Sequence, residues 1–427
     1  MSKKIKTIGL RLYGKNDLRL EEFKLPEINA DEVLFKVVTN SICMSSYKAA
    51  IQGEDHKSVT NNIVENPILL GHEMSGTILE VGENYKDKYK VGMKCTVQPA
   101  ISYPGKEHEA IGYSFQYAGG NATTIIIPKE ALEVDCLIPC YGDSFYNVSL
   151  AEPVACILAA FKEQFHYENN NKYNHVMGIK ENGNLAILGG VGPMGLAAVD
   201  ILLNAKRKPK LIVVTDIDEK RLERAKKIFP KERAEEKGIE LLFVNTSNLS
   251  NEQLLQKTNG KGFDDVFVFV PVKPLIKQAG EIMAIGGCLN FFAGPADKNF
   301  TAEINFYNIH YNMHHIIGSA GSNSDDLKEA VELIDKGILE PAIMVTHIGG
   351  LDSTPETILN LPKIPGGKKL IYTQLSFPLT ALEDFEKAGK TDPLFAELAK
   401  IISKTNGLWS KEAEEYLLKH GKKIIEN

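Results

Sequence analysis

The chain is expected to fold as α/β, with a β-rich domain, a doubly wound parallel-sheet domain and a helical C-terminal extension. Three features of the sequence predict this. Alternating apolar stretches such as Glu32 to Val38 and Met74 to Val81, punctuated by Gly and Pro, read as strands of a half-buried sheet. From Leu185 onward short buried strands alternate with helical patterns, the signature of a parallel sheet covered on both faces. Near the end, Pro393 to Ile402 carries an apolar stripe at helical spacing, and Ser410 is placed to cap a helix over Lys411 to His420.

The bulk properties limit the function classes. At 427 residues, 24% charged and 43% hydrophobic, the chain is long enough for two or three domains of ordinary globular composition. A net charge of −6 without a basic stripe argues against a nucleic-acid partner. The longest largely apolar stretch, Ala186 to Val199, is broken by glycines and Pro193, so no membrane span is expected. The start, Met1-Ser2-Lys3-Lys4-Ile5-Lys6, leads into no apolar signal region, and a cytoplasmic location is expected. The six cysteines read as reduced thiols.

The middle of the chain carries the clearest motif. A strand, Leu185-Ala186-Ile187-Leu188, is followed by Gly189-Gly190-Val191-Gly192-Pro193-Met194-Gly195 and a helical pattern from Leu196 to Ala205. A second strand, Leu211 to Thr215, ends at Asp216, 21 residues beyond Gly195. In this strand-turn-helix setting the pattern is a dinucleotide-binding fingerprint. Gly190 is assigned to the tight turn, Gly192 to close approach of a pyrophosphate and Gly195 to helix-strand packing; the phosphates rest on the helix N-terminus. Asp216 accepts from the adenosine ribose hydroxyls and repels a 2′-phosphate, so NAD(H) is expected, with NADP(H) less favoured. Lys220 and Arg221 either soften that preference or are surface charges of the next helix. Strands at Glu240 to Val244, Asp264 to Val270 and Ala284 to Phe292 continue the alternation.

A second constellation lies in the β-rich part. His72 stands 29 residues after Cys43 and 80 before Glu152, within Gly71-His72-Glu73. A thiolate, an imidazole and a carboxylate from distant segments suit a tetrahedral zinc site with one open position. Cys43 and His72 are the expected ligands, with Glu73 and Glu152 competing for the third place.

Together, Cys43-x-Ser45, Gly71-His72-Glu73-x-x-Gly76-x5-Gly82, Glu152-Pro153, the glycine turn and Asp216 resemble the zinc-dependent medium-chain alcohol and polyol dehydrogenases. Glutamate at Glu152 is similar to sorbitol dehydrogenases. The wording Ser45-Ser46-Tyr47-Lys48, Asn308 to Asn312, His347 to Asp352 and Pro365 to Leu370 is most like L-sorbose-1-phosphate reductases. The resemblance implies a GroES-like catalytic domain over 1–155, a Rossmann domain over 156–318, a return segment over 319–375 and a helical extension over 376–427, with a cleft between the two domains. It also implies zinc-dependent hydride transfer between NAD(H) and a sugar phosphate or polyol, foremost L-sorbose 1-phosphate reduced to D-glucitol 6-phosphate. Sorbitol, threonine or simple-alcohol oxidation are alternatives, and a non-catalytic dinucleotide-binding redox sensor is the alternative of another class. A homo-oligomer, dimer or tetramer, is expected.

Several departures from the family pattern are informative. Between the His-Glu motif and Glu152 only Cys95, Cys136 and Cys140 occur, so one catalytic zinc and no structural zinc are expected. Ser46 replaces an aspartate that orients the zinc-bound histidine in relatives, so another acceptor must hold His72 or the site is looser. Lys48 takes the place of a relay histidine; it reads as a proton relay, as the partner of a substrate phosphate, or as a solvated surface lysine. Lys368 and Lys369 are weaker phosphate candidates. Ser45 is the expected proton-passing hydroxyl. His314 and His315 are expected to be structural.

Overall fold

The computed structural model describes residues 5–168 and 171–425, apart from the side chain at 172; the leading Met1–Lys4 and the last two residues of the tail lie outside the described residues. The chain divides into two compact units, Met1–Pro153 with Ser322–Asn427, and Val154–Gly321.

In the first unit the strand Val33–Ile42 is the centre of the main sheet. It pairs antiparallel with Glu73–Val81 on one side and with Lys368–Tyr372 on the other, and its first residues also pair with Thr124–Ile127. Lys368–Tyr372 in turn runs parallel to Val345–Gly350, which brings the late part of the chain into the same sheet. Val33, Phe35 and Val37 share one face by the two-residue strand period and enter a core with Met74, Ile78, Ile125 and Ile127. The strand Val33–Ile42 is buried along both faces apart from Lys36, as suits the centre of a sheet.

The tail belongs to this unit as well. Its helices Pro393–Ser403 and Lys411–His420 start where capping chemistry places them, with Asp392 accepting from the Leu394 N–H and Ser410 from the Ala413 N–H. Phe377, Phe385, Phe395 and Trp409 form a chain of ring contacts beneath them.

The second unit holds six parallel strands in the order Glu240–Asn245, Leu211–Asp216, Asn184–Leu188, Phe263–Val268, Met283–Phe291, His315–Gly318. The first of these in sequence, Asn184–Leu188, lies mid-sheet and is buried throughout, which accounts for its continuous apolar run. The chain winds outward from it in one direction and then in the other, creating a switch point between Asn184–Leu188 and Phe263–Val268. A feature that sequence periodicity did not reveal is the antiparallel ribbon Phe165–Glu168 with Asn171–Met177. His315 sits against it, stacked on Phe165 and 3.1 Å from the Tyr167 hydroxyl, while the buried His314 has no side-chain hydrogen-bond partner among the described residues.

Candidate active site

The donors expected to form a metal set converge in the first unit. Cys43 closes the strand Val33–Ile42 and stands at the N-cap of the helix Met44–Gln52. His72 and Glu73 enter at the start of Glu73–Val81, which pairs with that strand so that Ser41 faces Glu73. The Cys43 sulfur, an imidazole nitrogen of His72 and a Glu73 carboxylate oxygen lie within 4.8 Å of one another. The backbone path into His72 depends on Gly71, whose φ of 101° lies in the left-handed region; a Cβ there would meet the Asn121 backbone nitrogen at 2.7 Å.

Glu73 is held on both oxygens. Its Oε1 accepts from the Lys368 ammonium and its Oε2 from the Ser41 hydroxyl, all three side chains being buried. Burial alone would lower the Lys368 pKa, but Glu73 above all, with Cys43, more than reverses this and raises it. Lys368 is therefore committed to a carboxylate rather than open to a substrate phosphate. Lys369 is likewise committed: its ammonium donates to the carbonyls of Ile364, Pro365 and Gly367 at 3.2, 2.9 and 2.8 Å. Both weaker phosphate candidates are thus set aside by the structure.

Glu152, in the first turn of Ala151–Glu163, is buried, and burial followed by the Glu73 charge pushes its carboxyl up to about 7. Burial and then Glu73 also push the Cys43 thiol up. A thiol and two carboxylates face one ammonium here, an excess of acidic groups that a bound divalent cation offsets. The donor set of sulfur, nitrogen and oxygen is also the type zinc takes. His72 is buried, its pKa lowered for that reason, and its Nδ1 has no hydrogen-bond partner among the described residues. The substitute acceptor that the loss of the aspartate demanded is not present among the described residues. Instead the Ser45 and Tyr113 hydroxyls stand 3.3 and 3.4 Å from Nε2, and the Tyr113 ring lies 4.9 Å from the imidazole. These residues fit a zinc ion.

Lys48 stands three positions after Ser45 on the helix Met44–Gln52, on the same face by helical spacing. It is half-buried rather than solvated, and burial lowers its pKa, with Cys43 opposing and Lys57 adding. Tyr113 was not singled out by the sequence, and Lys368 was expected there as a phosphate partner, not as the partner of Glu73. Two lysines leading straight into the apolar run Leu370-Ile371-Tyr372 were a legible sign that a buried partner was needed; Tyr113 carried no such sign. Cys95 and Cys136, away from this cluster, are buried thiols pushed up by burial to about 12 and about 11.

In the second unit the glycine turn links Asn184–Leu188 to the helix Pro193–Asn204, whose N-cap is Gly192. The left-handed residue is Gly189, with φ 66°, rather than Gly190. Gly190 is restricted by space: a Cβ would meet Ile187 and Val214 side chains at 2.7 Å. At Gly195 a Cβ would lie 1.9 Å from the Gly190 carbonyl oxygen, so helix and turn touch through bare backbone. At Gly192 the nearest atom is Arg221 Nη2 at 3.4 Å, which leaves room for a ligand and puts a guanidinium beside the turn. Val191 is buried, and Pro193 and Met194 form the first turn of the helix. Asp216 ends its strand, and its Oδ1 accepts from the N–H groups of Ile217 and Asp218 at 2.8 and 3.1 Å.

Comparison with known proteins agrees with both halves. The alcohol dehydrogenase GroES-like domain family matches residues 29–134, and the zinc-binding dehydrogenase family matches residues 193–336. Mannitol-1-phosphate 5-dehydrogenase of Aliivibrio fischeri is 46% identical over 96% of this chain and 97% of its own. L-sorbose 1-phosphate reductase of Klebsiella pneumoniae is 45% identical over 98% of each. A zinc-binding dehydrogenase from Sinorhizobium meliloti, solved with NADP, superimposes with a TM-score of 0.69 at 21% identity, covering 87% of this chain and all of that one. No helix among the described residues is long and apolar enough to cross a membrane. A GroES-like unit holding a cysteine, histidine and glutamate cluster, joined to a dinucleotide-type parallel sheet, makes this chain a member of the zinc-dependent medium-chain alcohol and polyol dehydrogenases, an oxidoreductase of the sugar-phosphate and polyol type.

Proposed function

We propose that the chain reduces L-sorbose 1-phosphate to D-glucitol 6-phosphate with NADH, using one zinc held by Cys43, His72 and a glutamate, with Glu152 favoured because Glu73 is already engaged on both oxygens. Zinc bound there supplies Lewis acidity toward the substrate oxygen. The N-terminus of the helix after Gly192 would hold the pyrophosphate of a dinucleotide and Asp216 its ribose, and the cofactor would supply the hydride.

The remaining work falls to side chains. Ser45 Oγ, beside His72 Nε2, donates to the substrate oxygen and hands on a proton. Lys48 Nζ stands one helical turn further on. As a cation it meets the phosphate; its lowered pKa also shortens the step to a proton carrier.

Two relatives of equal similarity differ in where the phosphate sits. In L-sorbose 1-phosphate the phosphate is on the carbon next to the carbonyl, whereas a mannitol-1-phosphate 5-dehydrogenase acts four carbons from it. Lys48, one turn from Ser45, favours the adjacent arrangement, and this observation carries the reading. Turnover with L-sorbose 1-phosphate and D-fructose 6-phosphate, each with NADH and NADPH, tests it. A higher kcat/KM for L-sorbose 1-phosphate, with its KM raised by Lys48→Met far more than that of L-sorbose, is expected. Equal loss of kcat for both sugars would move Lys48 to proton transfer alone, and preference for D-fructose 6-phosphate would favour the mannitol 1-phosphate reading.

A further inference from the structure

Glu414, on the tail helix Lys411–His420, is a buried carboxylate whose hydrogen bonds, among the described residues, come from backbone N–H groups and a hydroxyl. Its Oε2 accepts from the Phe145 N–H at 2.6 Å, and its Oε1 from the Tyr146 N–H and the Tyr372 hydroxyl at 2.9 and 3.0 Å. Trp409, also in the tail, donates to that same hydroxyl at 2.7 Å. Beside this anchor, Lys411 pairs with Asp143 at 2.9 Å on the surface.

Each group that Glu414 grips leads to the metal cluster. Phe145 and Tyr146 open the short helix Tyr146–Ser149, which runs into Ala151–Glu163 and hence Glu152. The Phe145 carbonyl accepts from Ser75 Oγ at 2.7 Å and Thr39 Oγ1 at 3.2 Å. Ser75 lies two residues after Glu73, and Thr39 two residues before Ser41, the donor to Glu73. Tyr372 ends the strand that begins at Lys368, the other partner of Glu73. One carboxylate from the tail thus ties together the segments bearing Glu152, Glu73 and Lys368. The Sinorhizobium meliloti structure matches in full yet covers only 87% of this chain, whereas the two sugar-phosphate relatives span 96% and 98% of it.

We propose that Glu414 is a positioning residue of the metal centre, and that the C-terminal extension is thereby a working part of the active site. This rests on the reading that the cluster holds zinc. Glutamine at this position keeps the size but turns an NH2 toward an N–H donor, so the grip on Phe145 or Tyr146 is lost. Loss of such outer support weakens metal holding without removing a ligand.

The test is the rate at which the zinc-loaded protein yields its metal to a colorimetric chelator, read on wild type, Glu414→Gln and Tyr372→Phe. Glu414→Gln should release zinc at least ~10-fold faster, with kcat lowered by a similar factor, while NADH affinity by fluorescence titration stays unchanged. Tyr372→Phe removes one of the three donors and should fall between. Wild-type release rate and kcat in a folded Glu414→Gln would overturn the proposal and leave the dehydrogenase reading standing. If Glu414→Gln does not fold, wild-type zinc release by Tyr372→Phe overturns it. A wild-type protein that never retains zinc sinks both.

Discussion

Lys368 reaches across the sheet to Glu73, the residue that follows His72, so an ion pair 295 residues apart in sequence is buried within the cluster of Cys43, His72 and Glu73. Removing one member leaves the other charged and buried. Lys368→Met should cost about 3–5 kcal/mol of stability in urea unfolding, and adding Glu73→Gln should recover most of that loss. A single-variant cost below about 1 kcal/mol would show that the pair is far less desolvated than its geometry implies.

Elemental analysis should find one zinc per chain. Cys43→Ala and His72→Ala should lose most of it and nearly all turnover while circular dichroism stays native, because the core does not depend on this site. Glu152→Gln should lose more zinc than Glu73→Gln, whose carboxylate is already occupied by Lys368 and Ser41. The reverse order would make Glu73 the ligand.

The glycine turn separates packing from binding. Gly195→Ala puts a methyl group 1.9 Å from the Gly190 carbonyl and should unfold or misfold the second unit. Gly192→Ala meets only Arg221 Nη2 at 3.4 Å, so it should melt like wild type while losing NADH affinity in fluorescence titration. Equal effects of the two variants on melting would contradict this division.

Coenzyme choice should follow Asp216. Repulsion of a 2′-phosphate by its carboxylate is worth on the order of 1–3 kcal/mol, and Asp216→Ser should narrow the preference for NADH accordingly. With Arg221 beside the turn, the Asp216→Ser variant has a cation at hand for NADPH. Indifference of the unmodified protein to the two coenzymes would refute the assignment.

Burial raises the Glu414 carboxyl from 4.5 to about 7, only partly opposed by the Phe145 and Tyr146 N–H groups, the Tyr372 hydroxyl and Lys94. For an acid raised on folding, the stabilising contribution is full below the unfolded value and is lost as pH rises through the folded one. Between pH 5 and 8 the wild type should lose as much as about 3 kcal/mol relative to Glu414→Gln. The buried Glu152 titrates in both proteins and cancels in the difference. Parallel stability profiles would show that Glu414 keeps an ordinary carboxylate pKa.

Much of this architecture is legible locally. The strand, glycine turn and helix from Asn184 to Asn204 follow from a buried apolar run, residues without side chains and Pro193 at a helix start, all within one stretch of chain. Ser410 announces its helix in the same way. What stayed hidden depends on partners far away in sequence. Lys368 and Lys369 are neighbours with the same chemistry, yet one salt-bridges Glu73 and the other caps three carbonyls of its own turn, and only strand pairing decides which. Glu414 reads as one more acid on a charged helix until the fold brings Phe145 and Tyr372 to it. The ribbon from Phe165 escaped for another reason: its first strand is only four residues long and the second opens on a run of mostly polar residues, too little pattern to mark a strand.

Gly71 is constrained from two sides. Its own Cβ would strike Asn121, and Gly112 is pressed so closely on it that a Cβ there would lie 2.0 Å from the Gly71 carbonyl oxygen. Both residues also hold left-handed backbone, φ 101° and 79°. The nearest obstacle at each position is main chain, the Asn121 nitrogen for Gly71 and the Gly71 carbonyl for Gly112, so neither accepts a side chain by a rotamer change alone. Drift in one cannot be compensated by drift in its neighbour, so the two glycines should be inherited as an unbroken pair, and the approach to His72 is closed to gradual mutational exploration.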